Sequence, residues 1–195
     1  LKGLVCAGAI AGLAYGVSSC GEYVDVPGFD GNTPSAGRTK NSVAAIVTGI
    51  AGQKMYGNSN INVEIQKFAF PDAKVIGTTS NGNIDTKVDL LLTSAHFKAD
   101  NKSGYLTGDV DKSEFDWKVK QTSKDTYEIA RFGPKFDGRI KLKVADGKIK
   151  GTFVRDGPNF DWDIDGKYDK SGNVEVEIDA PLTLGITLKG KIEKM

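Results

Sequence analysis

Gly138-Arg139-Ile140-Lys141-Leu142-Lys143-Val144-Ala145-Asp146-Gly147-Lys148-Ile149-Lys150 decides the fold of this chain. Ile140, Leu142 and Val144 alternate with Arg139, Lys141 and Lys143, the period of a strand with one buried and one wet face. Asp146-Gly147 suits a two-residue hairpin turn, because glycine tolerates the positive φ that such turns require. That turn pairs Val144 with Ile149 and Lys143 with Lys150, so apolar meets apolar on one face.

The next hairpin repeats the logic. Lys170-Ser171-Gly172, flanked by Asp169 and Asn173, suits a three-residue loop ending in a left-handed glycine. It sets Tyr168 beside Val174, Ile164 beside Ile178, Asp165 beside Glu177 and Asp163 beside Asp179. Pairing back across Asp156-Gly157-Pro158-Asn159 sets Lys150 beside Asp165, which offsets the facing carboxylates. Upstream, Ile61, Val63 and Ile65 alternate and Phe68 and Phe70 shift phase, predicting a bulge. Asn81-Gly82 leads into a strand through Ile84, Thr86, Val88, Leu90 and Leu92, and further strands centre on Leu106, on Phe115-Asp116-Trp117-Lys118-Val119 and on Tyr127-Ile129. Phe160-Asp161-Trp162-Asp163-Ile164 echoes the Phe115 segment, as aromatic strands with one polar face commonly do.

With 24 glycines against six prolines, the expected fold is all-β. It is an antiparallel up-and-down meander of about nine to eleven strands, strongly bent or closed into a barrel. Lipocalin-like carriers are the architectural analogy, and no lipocalin motif is matched. One short helix is predicted near residues 41–53, where Val43, Ile46, Val47 and Ile50 recur at helical spacing with Asn41 or Ser42 as N-cap. Its narrow apolar stripe should lie against the β domain and close one end of it.

Residues 21–40 carry Pro27, Pro34, Gly28, Gly31 and Gly37 and read as a flexible linker. Before them, Leu4 to Val17 are apolar or small, follow Lys2 and run into Val17-Ser18-Ser19-Cys20-Gly21. This stretch resembles a bacterial lipoprotein signal, in which small residues precede a lipid-modified cysteine. The resemblance, which covers only about the first twenty-one residues, implies a leader over residues 1–20, acylation at Cys20 and a place at the periplasmic or outer surface of a cell envelope; the alternation and helical spacing described above predict a single domain over 41–195. Gly8, Gly12 and Gly16, at small-xxx-small spacing, keep open a retained membrane helix, against which the apolar run falls short of the ~20 residues that span a bilayer.

Lys+Arg at 26 against Asp+Glu at 25 leaves a net charge of +1, so no global field favours nucleic acid. His96 is the only histidine and both cysteines, Cys6 and Cys20, precede the β region, which leaves too few ligands for a zinc site. No nucleophile elbow or phosphate-binding glycine loop occurs, and no cofactor is expected. Asp161, Asp163, Asp165 and Gly166 spell the start of a calcium loop, but the closing Glu would fall at Gly172, and an acidic strand face is the simpler reading.

Phe115, Trp117, Phe160 and Trp162 share the inward phase, either as core or as the lining of an apolar pocket. The expected function is therefore non-enzymatic: a lipoprotein, anchored to a membrane by lipid, that binds an apolar molecule or an envelope protein. A glycan hydrolase using a carboxylate pair such as Asp163 and Glu177 is the competing class, and a purely structural envelope protein is the third.

Overall fold

The computed structural model describes residues 34–67, 70–88, 94–101, 104–111, 116–132, 138–155, 162–180 and 183–195. A helix, α1 (Pro34–Tyr56), precedes twelve strands: β1 (Ser59–Lys67), β2 (Phe70–Ser80), β3 (Asn83–Val88), β4 (Ala95–Asn101), β5 (Leu106–Asp111) and β6 (Asp116–Ser123). The second half holds β7 (Thr126–Phe132), β8 (Gly138–Ala145), β9 (Lys148–Arg155), β10 (Trp162–Tyr168), β11 (Asn173–Ala180) and β12 (Thr183–Lys194). Each strand pairs antiparallel with its neighbour in sequence, and β12 closes on β1. The result is an up-and-down barrel. Its connectivity is that of lipocalin-like barrels, with a higher strand number and an inner helix.

The registers follow the turn chemistry. Asp146 and Gly147 adopt φ of 51° and 74°, and Val144 faces Ile149. Asn81 and Gly82 repeat that conformation, at 51° and 86°. Across β10 and β11, Ile164 faces Ile178, Tyr168 faces Val174, Asp163 faces Asp179 and Asp165 faces Glu177, as the Asp169-to-Asn173 loop demands. The Asp169 carboxylate holds that loop by accepting from the Ser171 and Asn173 backbone amides at 2.8 and 3.0 Å. The phase shift before Phe70 is a register shift between Ile65 and Lys67 where β1 meets β2.

The strand count exceeds the sequence expectation because β2 and β12 disguise their alternation. In β2, Ile76 points outward while Thr79 is buried. In β12, Gly190 interrupts the inward apolar series of Ile186, Leu188 and Ile192.

The larger correction concerns the helix. It spans 23 residues, starting inside the segment read as linker, and it does not cap the barrel with one stripe. Every residue from Lys40 to Gly52 is buried, and α1 contacts β1, β2, β3, β4, β12 and, on the opposite wall, β8. The helix therefore threads the lumen. Barrels of about eight strands are filled by their own side chains, whereas twelve leave room for a helix. Pro34 read as a breaker, but proline is tolerated in the first turn, where its missing N–H would have no helical partner.

Small residues let the helix approach the wall. A Cβ on Gly49 would lie 2.6 Å from Ile84 Cγ2 and 3.1 Å from Thr86 Oγ1, and the Thr86 hydroxyl donates to the Ala45 carbonyl at 2.9 Å. Val43, Ile46, Val47 and Ile50 join the inward residues of the strands in one continuous core. Gly57, at φ 72°, ends the helix by donating to the Gln53 carbonyl at 3.0 Å.

The outer wall has the opposite character. On β8 the residues alternating with the core are Arg139, Lys141 and Lys143, and on β12 they include Lys189, Lys191 and Glu193, all exposed. A lipid-facing wall would carry an apolar band at these positions, so this wall faces water.

Candidate functional site

The carboxyl end of α1 emerges among tight turns. Lys54 Nζ donates to Asp125 Oδ1 at 2.6 Å and to the Lys124 carbonyl at 2.9 Å, both between β6 and β7. The Tyr56 hydroxyl donates to the Lys170 carbonyl between β10 and β11 at 3.1 Å. These contacts latch the helix to the barrel rim. The Lys54 ammonium beside Asp125 also holds that carboxyl below its usual range. A cation in the last helical turn is further favoured by the exposed carbonyls there.

Between this helix end and the wall formed by β3 to β7 lies a cavity of about 270 Å³. Its surface is mostly polar, with Gln53, Lys54, Asn101 and Gln121 bordering it and Ile50, Ile84, Leu106 and Tyr127 buried behind them. Pockets for drug-sized molecules run from about 300 to 1,000 Å³, so this one suits something smaller.

The polar groups differ in what they have left to offer. Gln121 is engaged: its Oε1 accepts from the Leu106 amide at 3.1 Å and its Nε2 donates to the Ser123 and Lys124 carbonyls at 3.0 and 3.2 Å. Lys54 is neutralised by Asp125. Gln53 Oε1, by contrast, is buried and accepts no hydrogen bond. A buried acceptor left so costs about 1–3 kcal/mol. Tyr127 is buried at the start of β7, and desolvation, reinforced by the charge of Asp125, pushes its pKa up to about 12. At neutral pH it is a neutral hydroxyl able to donate.

The residues singled out in the sequence fall elsewhere. Trp117 is fully buried on β6, facing inward as expected. Trp162 occupies β10 opposite Phe153, while Phe115, Phe160 and Asp161 lie outside the described residues, as does Cys20. Trp117 does not line the cavity. Asp163 and Asp165 are exposed on the outer wall. Asp165 accepts from Lys150 Nζ at 2.8 Å, which lowers its pKa, and Asp163 lies within 3.4 Å of the Thr152 hydroxyl. Asp163 and Glu177 sit on that same exposed wall, outside the cavity lining. Among the described residues no group of three or more His, Cys, Asp or Glu is placed to hold a metal ion.

His96 Nε2 meets Asp85 Oδ1 at 2.7 Å across β3 and β4, a cross-strand contact on the outer wall.

Sequence reasoning missed Gln53, Gln121 and Tyr127 as a group. Gln53 stood at the margin of the predicted helix and Gln121 just past the alternating part of its strand. Nothing local joins them, since they meet only when the helix enters the barrel. No protein-family model, no curated protein and no solved structure matches this chain.

Proposed function

We propose that this chain is a non-enzymatic binding protein of the cell envelope, tethered to a membrane through Cys20, that holds a small ligand at the carboxyl end of its inner helix. The observation that carries the binding role is the cavity at the carboxyl end of α1, a concave and mostly polar surface bordered by Gln53, Lys54, Asn101 and Gln121. A carrier of a large apolar molecule would need the lumen itself, and α1 fills it. The ligand site thus moves from the aromatic strands to the rim.

The tether rests on the sequence alone, on Val17-Ser18-Ser19-Cys20 and the apolar run before it. Native mass spectrometry of the protein purified from bacterial membranes tests both halves together. The expected spectrum shows a diacylated or triacylated chain beginning at Cys20, with a fraction carrying an added small mass. Cys20→Ser should move the protein to the soluble fraction. Unchanged membrane partition of that variant overturns the tether.

A further inference from the structure

We infer that the outer face of β6 to β9 lies against an anionic lipid surface, with Lys120, Arg139, Lys141 and Lys143 meeting the headgroup phosphates. This rests on the tether proposed above and adds the face of the barrel and the class of lipid. Among the described outward positions of β7, β8 and β9, the cations are Arg139, Lys141, Lys143, Lys148 and Lys150, against one carboxylate, Glu128. The registers gather them: Lys143 faces Lys150, while Lys120 and Lys141 flank Glu128 from either side. Like charges directly opposed are destabilising, so such a face gains from an external anion. Lys150 has its own partner in Asp165 at 2.8 Å, whereas Lys120, Arg139, Lys141 and Lys143 form no ion pair among the described residues.

The acidic strip of a second copy is a poorer match, because Lys150, Lys167 and Lys189 already hold Asp165 and Glu175. Phe132 favours lipid further. It is an outward aromatic, 45% exposed, two residues along β7 from Ala130, the partner of Arg139. An aromatic ring beside cations suits the level of the headgroups. The entry point of the helix agrees. Lys54 meets Asp125 at the rim where β7 starts, and the buried stretch from Lys40 to Gly52, about 20 Å long, crosses the lumen from the other rim. Phe132 and Arg139 border that other rim, so α1 begins on their side. Residues 21–33 separate Cys20 from Pro34, a reach of at most about 45 Å, which lets a tethered barrel lie on this wall.

The probe is the full chain carrying Cys20→Ser, sedimented with vesicles of phosphatidylcholine alone or with about one-third phosphatidylglycerol. Without Cys20 the result is independent of acylation, and the apolar leader acts alike on both vesicles. Binding to the anionic vesicles should be tighter by about tenfold or more at low salt, and should lose that advantage at about 1 M salt, where charges are screened beyond about 3 Å. Lys141→Gln combined with Lys143→Gln should weaken it by about tenfold or more, since each lysine near such a surface contributes roughly fivefold. Lys189→Gln combined with Lys191→Gln, on β12, removes the same charge and should stay within about twofold. The emission added by Phe132→Trp should shift to the blue on the anionic vesicles.

Equal binding to both vesicles overturns the inference and leaves the tether standing. Retention of Cys20→Ser in cell membranes through a high-salt wash is instead the failure of the tether, because contacts of this face are screened by salt. Equal losses in the β8 and β12 variants overturn the choice of face, as does binding without the blue shift. Dimers formed at low salt without vesicles, and lost with Lys141→Gln and Lys143→Gln, overturn the lipid assignment and give the face to a second copy.

Discussion

At the scale of single residues, the interior of this protein is set by whether each polar atom finds a partner and each apolar atom a neighbour. Trp117 meets the second condition, fully buried on β6 beside the core. Its position was legible because it sits at the centre of an alternating strand, Asp116-Trp117-Lys118-Val119-Lys120, whose polar members must face water. Replacing Trp117 by Ala should destabilise the fold by about 3–5 kcal/mol through lost burial and a new cavity. Urea denaturation measures this, and a midpoint unchanged from the parent would show that the tryptophan is not core. Gln53 fails the first condition, and nothing about a lone glutamine near a helix end announces that. Whether an acceptor is orphaned depends on which groups the fold brings within 3 Å.

At the scale of elements, strands and helix were legible to different degrees. The β8–β9 and β10–β11 hairpins could be registered residue by residue, because turn type and apolar phase each specify the pairing and here agree. For α1 the apolar spacing of Val43, Ile46, Val47 and Ile50 suggested one buried face, yet from Lys40 to Gly52 all faces are buried. The small residues between them matter too: Ala45 accepts from Thr86 of β3, and Gly49 lies where a Cβ would press on Ile84. A helix with small residues on its second face is ambiguous until its surroundings are known. The close approach can be tested: Gly49→Val places two extra methyl groups where a Cβ alone would already lie 2.6 Å from Ile84. The expected cost is about 1–3 kcal/mol or more. If thermal melting of that variant matches the parent, α1 does not press on β3 as described.

At the scale of the whole molecule, the charges form a water-facing shell around an apolar lumen. Across β9, β10, β11 and β12 they interlock: Lys150 with Asp165 at 2.8 Å, Lys167 with Glu175 at 2.9 Å, and Lys189 with Glu175 at 3.9 Å. Exposed pairs of this kind are screened and individually weak, so they guide register more than they hold the barrel. They do impose a pH dependence. Asp125, Asp165 and Glu175 all have carboxyl pKa values lowered by adjacent lysines. A carboxyl with a lowered native pKa contributes stability above its unfolded pKa, near 4, and loses it as pH falls through the native value.

The melting temperature should therefore be flat from pH 7 to about 5 and fall progressively below about pH 4. Lys54→Met, which leaves Asp125 without its cation, should show a shallower fall, and an identical slope would mean that the helix latch carries none of the effect. A saturable rise in melting temperature on adding calcium would run against the reading of Asp163 and Asp165 as a paired surface strip.

The sequence by itself determined the all-β class, the up-and-down order and the registers of the later hairpins, because each depends on local turn chemistry and a period of two within a few residues. The proposed leader around Cys20 rests on the sequence alone, because its signal is purely linear. Only the tertiary structure decided that twelve strands close into a barrel, that α1 occupies the lumen, and that Gln53, Gln121 and Tyr127 surround one cavity. These depend on closure, on the diameter it leaves, and on contacts between residues about seventy positions apart. A helix with apolar and small residues together will lie on a sheet or inside it according to the space available, and that space exists only once the last strand has paired with the first.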